Sequence, residues 1–295
     1  MRLTAIFPIL CLLGALVLSF LCLFAGSKQS FLPSYDLLTL NTSRIGSNLV
    51  SENSPIEPLQ DIFSALPDAI NEEISQRADA LASRLGVDDF YSVHILNYCF
   101  GTYTPSVLPN ATLPLSDIKR NITGCSNRTA MFEFSPGEII EQRLNESGVD
   151  VTLDDLQWPE DIQTGIDALH AVQAAVFILY CISIALVFVA LVAAVFGVVG
   201  NGRLSACVNV LITAVALLAF GVASALVTAV VVKGTDVINQ HGEQIGLQAS
   251  RGNKFLALTW AGAGLVFLAL VAWVVEVCVG GRRKRRSGYA AAKTG

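Results

Sequence analysis

The residues able to do chemistry are few, and most lie in one stretch. Cys99 and Cys125 are the two cysteines of residues 28–167, a polar segment bounded by apolar runs. Around them stand N-x-[ST] sequons at Asn41, Asn110, Asn121, Asn127 and Asn145. Asparagines of this kind receive glycans in the secretory lumen, the same oxidising route in which thiols pair. A Cys99–Cys125 disulfide is therefore expected. Closing a loop of about 25 residues contributes roughly 3–4 kcal/mol by the chain-entropy relation. Two free thiols or intermolecular bridges are the alternative.

The other reactive side chains form no constellation. His94, His170 and His241 are far apart, and neither H-x-x-x-H nor C-x-x-C spacing occurs. There is no glycine-rich phosphate loop and no G-x-S-x-G. No catalytic residue, metal or cofactor is expected, and the chain reads as a non-enzyme. Each histidine titrates in a range that suits external pH sensing, although a packed or surface histidine is the plainer reading. Cys11, Cys22, Cys181 and Cys207 lie in apolar runs and read as filler. Cys278 precedes a basic cluster, a position suited to S-palmitoylation. The cluster itself is Arg282, Arg283, Lys284, Arg285 and Arg286. It marks a cytoplasmic end, and near an anionic inner leaflet each such charge adds about 1 kcal/mol of attraction. A nucleic-acid partner does not fit so short a membrane-anchored tail.

The elements that must position these residues follow from composition. The chain is 53% hydrophobic and 15% charged, whereas soluble domains carry about 25% charged residues. Four runs lack any Asp, Glu, Lys or Arg: Leu3–Ser27, Ala168–Gly202, Leu204–Val232 and Phe255–Val275. Each covers the ~20 residues a helix needs to cross lipid, where backbone groups must bond internally. Arg2, Arg203 and the 282–286 cluster fall on one side when four spans are threaded. Both termini are then cytoplasmic. A first run ending at Ala25-Gly26-Ser27 also has the small residues of a cleaved signal peptide, but it exceeds the ~7–15 residues of a signal core, which favours a retained anchor.

The expected fold is an all-α membrane protein, a four-transmembrane-helix bundle with a large disulfide-closed, glycosylated extracellular loop that is itself a small α+β or irregular domain. Its parts are a first span at 1–27, an extracellular domain at 28–167, a second span at 168–200 and a cytoplasmic turn at 201–204. A third span at 205–232, a second extracellular loop at 233–254, a fourth span at 255–280 and a basic cytoplasmic tail at 281–295 complete it.

Within the outer domain, residues 28–58 read as an irregular lead-in. Pro67, the acids behind it and Gly86 frame an amphipathic helix with Ile70, Ile74, Ala78, Leu81 and Leu85 on one face. Tyr91 to Cys99 reads as one strand or buried segment. The patch Met131–Phe134 is expected to end in a turn at Ser135-Pro136-Gly137. Trp158-Pro159-Glu160-Asp161 reads as the start of a helix that runs on into the second span. Small residues recur at spacing four, as in Ala190/Ala194, Gly221/Ala225/Ala229 and Ala257/Ala261, a pattern that lets helices approach closely.

Three elements resemble the fungal Sur-seven/PalI family of claudin-like tetraspan plasma-membrane proteins. They are Tyr98-Cys99-Phe100-Gly101, Cys125-Ser126, and the aromatic patch from Phe132 to Pro136. The resemblance implies a structural protein that organises plasma-membrane domains at the cell cortex, linked to endocytosis and cell-wall integrity. Self-association or other cortical membrane proteins are the implied partners, with anionic lipids at the tail. The alternative is a sensor or accessory subunit in ambient-pH or stress signalling. A transporter or membrane enzyme is disfavoured, because ion and proton paths use charged groups inside lipid and these runs have none.

Overall fold

A computed structural model of the chain describes residues 6–43, 45, 86–104, 119–147, 160–199, 203–242 and 246–291. The chain divides into two compact units. One comprises Met1–Leu23, Val176–Leu226 and Phe255–Gly295, and the other comprises Phe24–Ala175 and Val227–Lys254.

The first unit is helical. Its segments belong to α1 (Ile6–Phe24), α3 (Glu160–Val199), α4 (Arg203–Gly242) and α5 (Asn253–Ala291). Each contains a stretch long and apolar enough to cross a membrane: Ile6–Phe24, Val172–Gly197, Ser205–Gly242 and Asn253–Cys278. At 40 residues, α3 is about 60 Å long, roughly twice the hydrocarbon thickness. The expected continuous helix is therefore present from Glu160 onward, and α4 likewise continues ten residues past Val232 to Gly242.

Packing inside this unit uses neutral polar groups and small residues. Tyr180 is fully buried with its ring edge-on to Phe220, centroids 6.1 Å apart. Thr259 joins Tyr180 Oη and Ser224 Oγ, the latter at 2.9 Å. Close approach is visible where glycines stand: a Cβ at Gly262 would lie 2.7 Å from the Phe220 ring. Among the expected stripes, Ala190 and Ala194 are buried, whereas Ala225, Ala229, Ala257 and Ala261 face outward. The first pair serves packing within the chain and the others do not.

The second unit is built on a five-stranded antiparallel sheet. Its strands are β1 (Leu38–Asn41), β2 (Phe90–Val93), β3 (Tyr98–Thr104), β4 (Lys119–Cys125) and β5 (Gln248–Arg251), in the order β4-β3-β2-β1-β5. The central strand β2 is buried along its whole length, as a strand covered on both faces must be. The edge strands β4 and β5 are mostly exposed and polar.

Three local expectations change. Residues 28–58 contain a strand, β1, where an irregular lead-in was expected. Tyr91 to Cys99 is not one strand but two, because His94–Asn97 turns the chain: His94 N–H donates to the Asn97 carbonyl at 2.8 Å. Ser135-Pro136-Gly137 opens a helix, α2 (Pro136–Ser147), where a turn was expected. Ser135 is its N-cap, and its carbonyl accepts the first helical bond from Ile139 N–H at 3.1 Å. Pro136 needs no donor at the first position, and Glu138 completes the S-x-x-E capping pattern. The helix expected over 67–85 and the start at Trp158-Pro159 lie outside the described residues.

Candidate functional site

The sheet gathers the residues that the sequence singles out. Cys99 and Cys125 form a disulfide. They are direct cross-strand partners in the β3–β4 ladder, so the bond clamps two paired strands rather than the ends of a free loop. Next to them the ladder shifts register between Phe100 and Gly101. The backbone of β4 presses against Gly101 so closely that a Cβ there would meet the Asn121 carbonyl oxygen at 2.0 Å. Tyr98-Cys99-Phe100-Gly101 thus supplies a clamp and a bulge side by side.

Aromatic side chains cover one face of this hairpin. Tyr98 lies 6.0 Å from Phe132, 6.1 Å from Phe100 and 6.3 Å from Phe134, centroid to centroid. Tyr91 joins the same group through Tyr98 and Phe100. Arg143 of α2 stacks its guanidinium 4.6 Å from the Phe100 ring centre and reaches Asp88 at 3.5 Å. Burial raises the Asp88 carboxyl pKa, and Arg143 opposes that shift.

The β2–β3 turn holds the most constrained polar groups. His94 is 1% exposed and Asn97 is fully buried. The Asn97 amide donates to the Gly26 carbonyl at 3.0 Å, and His94 Nδ1 lies 3.3 Å from the Tyr35 carbonyl. His94 Nε2 and Asn97 Oδ1 have no hydrogen-bond partner among the described residues. Burial pushes the imidazole pKa down to about 4, although Asp36 and the Tyr35 carbonyl favour its charged form. Gly26 is required at its position: its φ is +69°, and a Cβ would meet the His94 ring at 2.2 Å.

One grouping has the residue types of a hydrolase triad. Ser135 Oγ is 3.3 Å from His170 Nε2, and His170 Nδ1 is 3.9 Å from Glu133. Its geometry suits capping instead. Nε2 also lies 3.4 Å from the Phe134 carbonyl, which can only accept, so a proton on Nε2 serves that contact. A protonated Nε2 cannot take a proton from Ser135, as a general base must. His170 thus fastens the start of α2 to α3. Among the described residues no group of three or more His, Cys, Asp or Glu is placed to hold a metal ion.

The sequons differ in accessibility. Asn121, Asn127 and Asn145 are exposed, whereas Asn41 is half-buried at the end of β1. Its Oδ1 accepts from the Ser43 amide at 3.1 Å and the Ser43 hydroxyl at 2.7 Å. Asn110 lies outside the described residues. Cys278 is free and exposed on α5, and Cys11 and Cys22 are buried within the helical unit while Cys181 and Cys207 are exposed. Arg282 to Arg286 fall within the span of α5, so the basic segment continues the helix. Sequence reasoning missed the two buried polar residues of the turn as a unit, because Asn97 has no motif around it. It missed Arg120 as well, whose guanidinium donates to Thr39 Oγ1 at 2.6 Å and faces Asp36 at 3.5 Å.

No curated protein and no solved structure matches the chain. A family model does, described as SUR7/PalI family, over residues 4–272. That range takes in the first three apolar helices, most of the fourth, the disulfide hairpin and β5, and it agrees with the resemblance carried by Tyr98–Gly101 and Cys125-Ser126. The chain is a multi-pass membrane protein and belongs to the SUR7/PalI family.

Proposed function

We propose that this chain is a structural, non-enzymatic protein of the plasma membrane that organises lateral domains at the cell cortex. It carries the disulfide-clamped sheet outside and both termini inside. The pairing of β1 with β5 is the observation that supports this threading. β1 follows the first apolar helix and β5 lies between the third and fourth. Strands that share a ladder must lie on one side of a membrane, which four spans provide, and the basic residues Arg2, Arg203 and Arg282–Arg286 favour cytoplasmic ends. Exposed Asn121, Asn127 and Asn145 fit glycosylation on the outer side. Neutral, well-packed spans fit a scaffold better than a conduit. Contacts with other cortical membrane proteins or with further copies of this chain carry the organising role. Anionic lipids at Arg282–Arg286 and S-palmitoylation of Cys278 hold the tail to the inner leaflet.

Fluorescent tagging of the C-terminus, combined with glycosidase treatment, tests the reading. Stable cortical patches and a mobility shift on deglycosylation are expected. A diffuse or internal-membrane signal would sink the organising role, and an unshifted band would sink the outward placement of the sheet.

A signalling role is favoured by one observation, the burial of His94, whose charged form Asp36 favours and Arg120 opposes. A subunit that reads external pH would recover a partner in pH-dependent amounts from detergent extracts. Constant recovery between pH 4 and 8 would end that second reading.

A further inference from the structure

We propose that a cleft on the sheet binds a phosphate ester carried by a hydroxylated ring, such as an inositol or sugar phosphate. The proposal is independent of the organising role. The cleft has a volume of about 390 Å³ and is lined by residues of β1, β3, β4 and β5 and by the first residues of α5.

Its charge sets it apart. Residues 28–167 are rich in Asp and Glu, yet the cleft lining brings together Arg120, Arg251 and Lys254 with one carboxylate, Asp36, and the Asp236 that pairs with Arg251 is outside the lining. A metal ion would need more oxygen anions than one, so the lining selects an anion. The two arginines are held in place before any ligand arrives. Arg120 is fixed by Thr39 and by Asp36, which is itself 4% exposed and accepts from Thr39 at 2.6 Å. Arg251 is fixed by Asp236 at 2.7 Å. Lys254 is exposed and makes no ion pair among the described residues. Planar guanidinium forks match phosphate oxygens, and an ammonium adds a mobile third charge.

The rest of the lining suits a polyol. Thr39 and Ser250 are cross-strand partners, so they share one face of the sheet, and Tyr103 places its phenol beside them. Burial pushes the Tyr103 pKa up to about 12, so it is a neutral hydroxyl at physiological pH. Lys254 directly precedes Phe255, the first residue of the fourth apolar run. That adjacency in sequence makes two sources of phosphate worth testing, a lipid headgroup and a free sugar phosphate. Both share the same recognised chemistry.

The test uses the full chain in nanodiscs of neutral lipid, made without N-glycans so that nothing is attached at Asn41. Arg282–Arg286→Gln is carried throughout to remove the tail as a competing anion site. One arm titrates myo-inositol 1-phosphate and follows heat by calorimetry. The other replaces neutral lipid with phosphatidylinositol and follows thermal stabilisation. Saturable binding in either arm, weakened about tenfold or more by Lys254→Gln and by Arg251→Gln, supports the site. The arm that responds identifies the source. No binding in both arms overturns the proposal. Binding that both variants leave unchanged overturns it too, because these exposed side chains can be replaced without unfolding the sheet.

Discussion

Acid should loosen the sheet unit through one side chain, His94. Its imidazole is buried, Nε2 has no partner among the described residues, and burial pushes its folded pKa down to about 4. An unfolded histidine titrates near 6.5. The unfolded chain therefore binds a proton that the folded chain refuses between those two values. The stability that neutral His94 protects is fully present above pH 6.5 and is lost as pH falls toward 4. Linkage puts the loss at about 2 kcal/mol by pH 5 and about 3 kcal/mol by pH 4. For a unit of this size, 2 kcal/mol lowers the midpoint by about 4–8 °C. The assay is thermal unfolding of the purified chain in one detergent at pH 7.5 and pH 5, for the wild type and for His94→Gln. Gln keeps a polar group in the turn but does not titrate there, so the variant should lose most of the pH dependence even if its midpoint is lower throughout. The charges that face the ring, Asp36 and Arg120, are unchanged in it. Equal pH dependence in both proteins would refute the reasoning. So would an imidazole proton resonance in the native protein that titrates near 6.5.

Other substitutions probe the same design. Gly26→Ala should cost more than about 2 kcal/mol, since left-handed backbone alone costs roughly 1–2 kcal/mol for a residue with a Cβ. The steric part should return in Gly26→Ala/His94→Ala while the backbone part remains, as measured by a double-mutant cycle. Cys99→Ser should destabilise the sheet by about 2–4 kcal/mol and make Cys125 reactive to maleimide on the native protein, whereas neither thiol labels in the wild type. Thr259→Val removes the group that links Tyr180 to Ser224. It should cost about 1–2 kcal/mol in a denaturing-detergent titration, the range for hydrogen bonds between membrane helices, and leave sheet disulfide formation untouched.

The spans were legible because each carries a long, charge-free signal that needs no partner to interpret. The disulfide was legible because residues 28–167 hold only two cysteines. The sheet was not. β1 reads Leu-Thr-Leu-Asn and β5 reads Gln-Ala-Ser-Arg, each four residues long. So short a strand has no periodicity of its own, and β5 buries only Ala249. β1 is held by β2 and β5, and β5 by β1, and no local pattern reports partners so distant. The break at His94–Asn97 was hidden for another reason. Ile95 and Leu96 at the tip are apolar and buried, with no Gly or Pro beside them, so Asn97 alone carried the turn signal. The α2 start was misread although Ser135 and Glu138 stand at capping spacing, because Pro136-Gly137 looks like a turn when the cap is overlooked. The cleft cations come from β4, β5 and α5, and only the finished sheet brings them together.

The place of β5 has a consequence for how the molecule is made. Ser250 must find Thr39, 211 residues earlier in the chain. At about 5–20 residues per second, synthesis separates the two by roughly 10–40 s. During that interval β1 presents an open edge, with its backbone donors and acceptors unmatched on one side. The sheet cannot be completed until residues 248–251 have been made. A chain truncated before residue 248 would carry a permanently unfinished sheet, however well its first three helices had inserted.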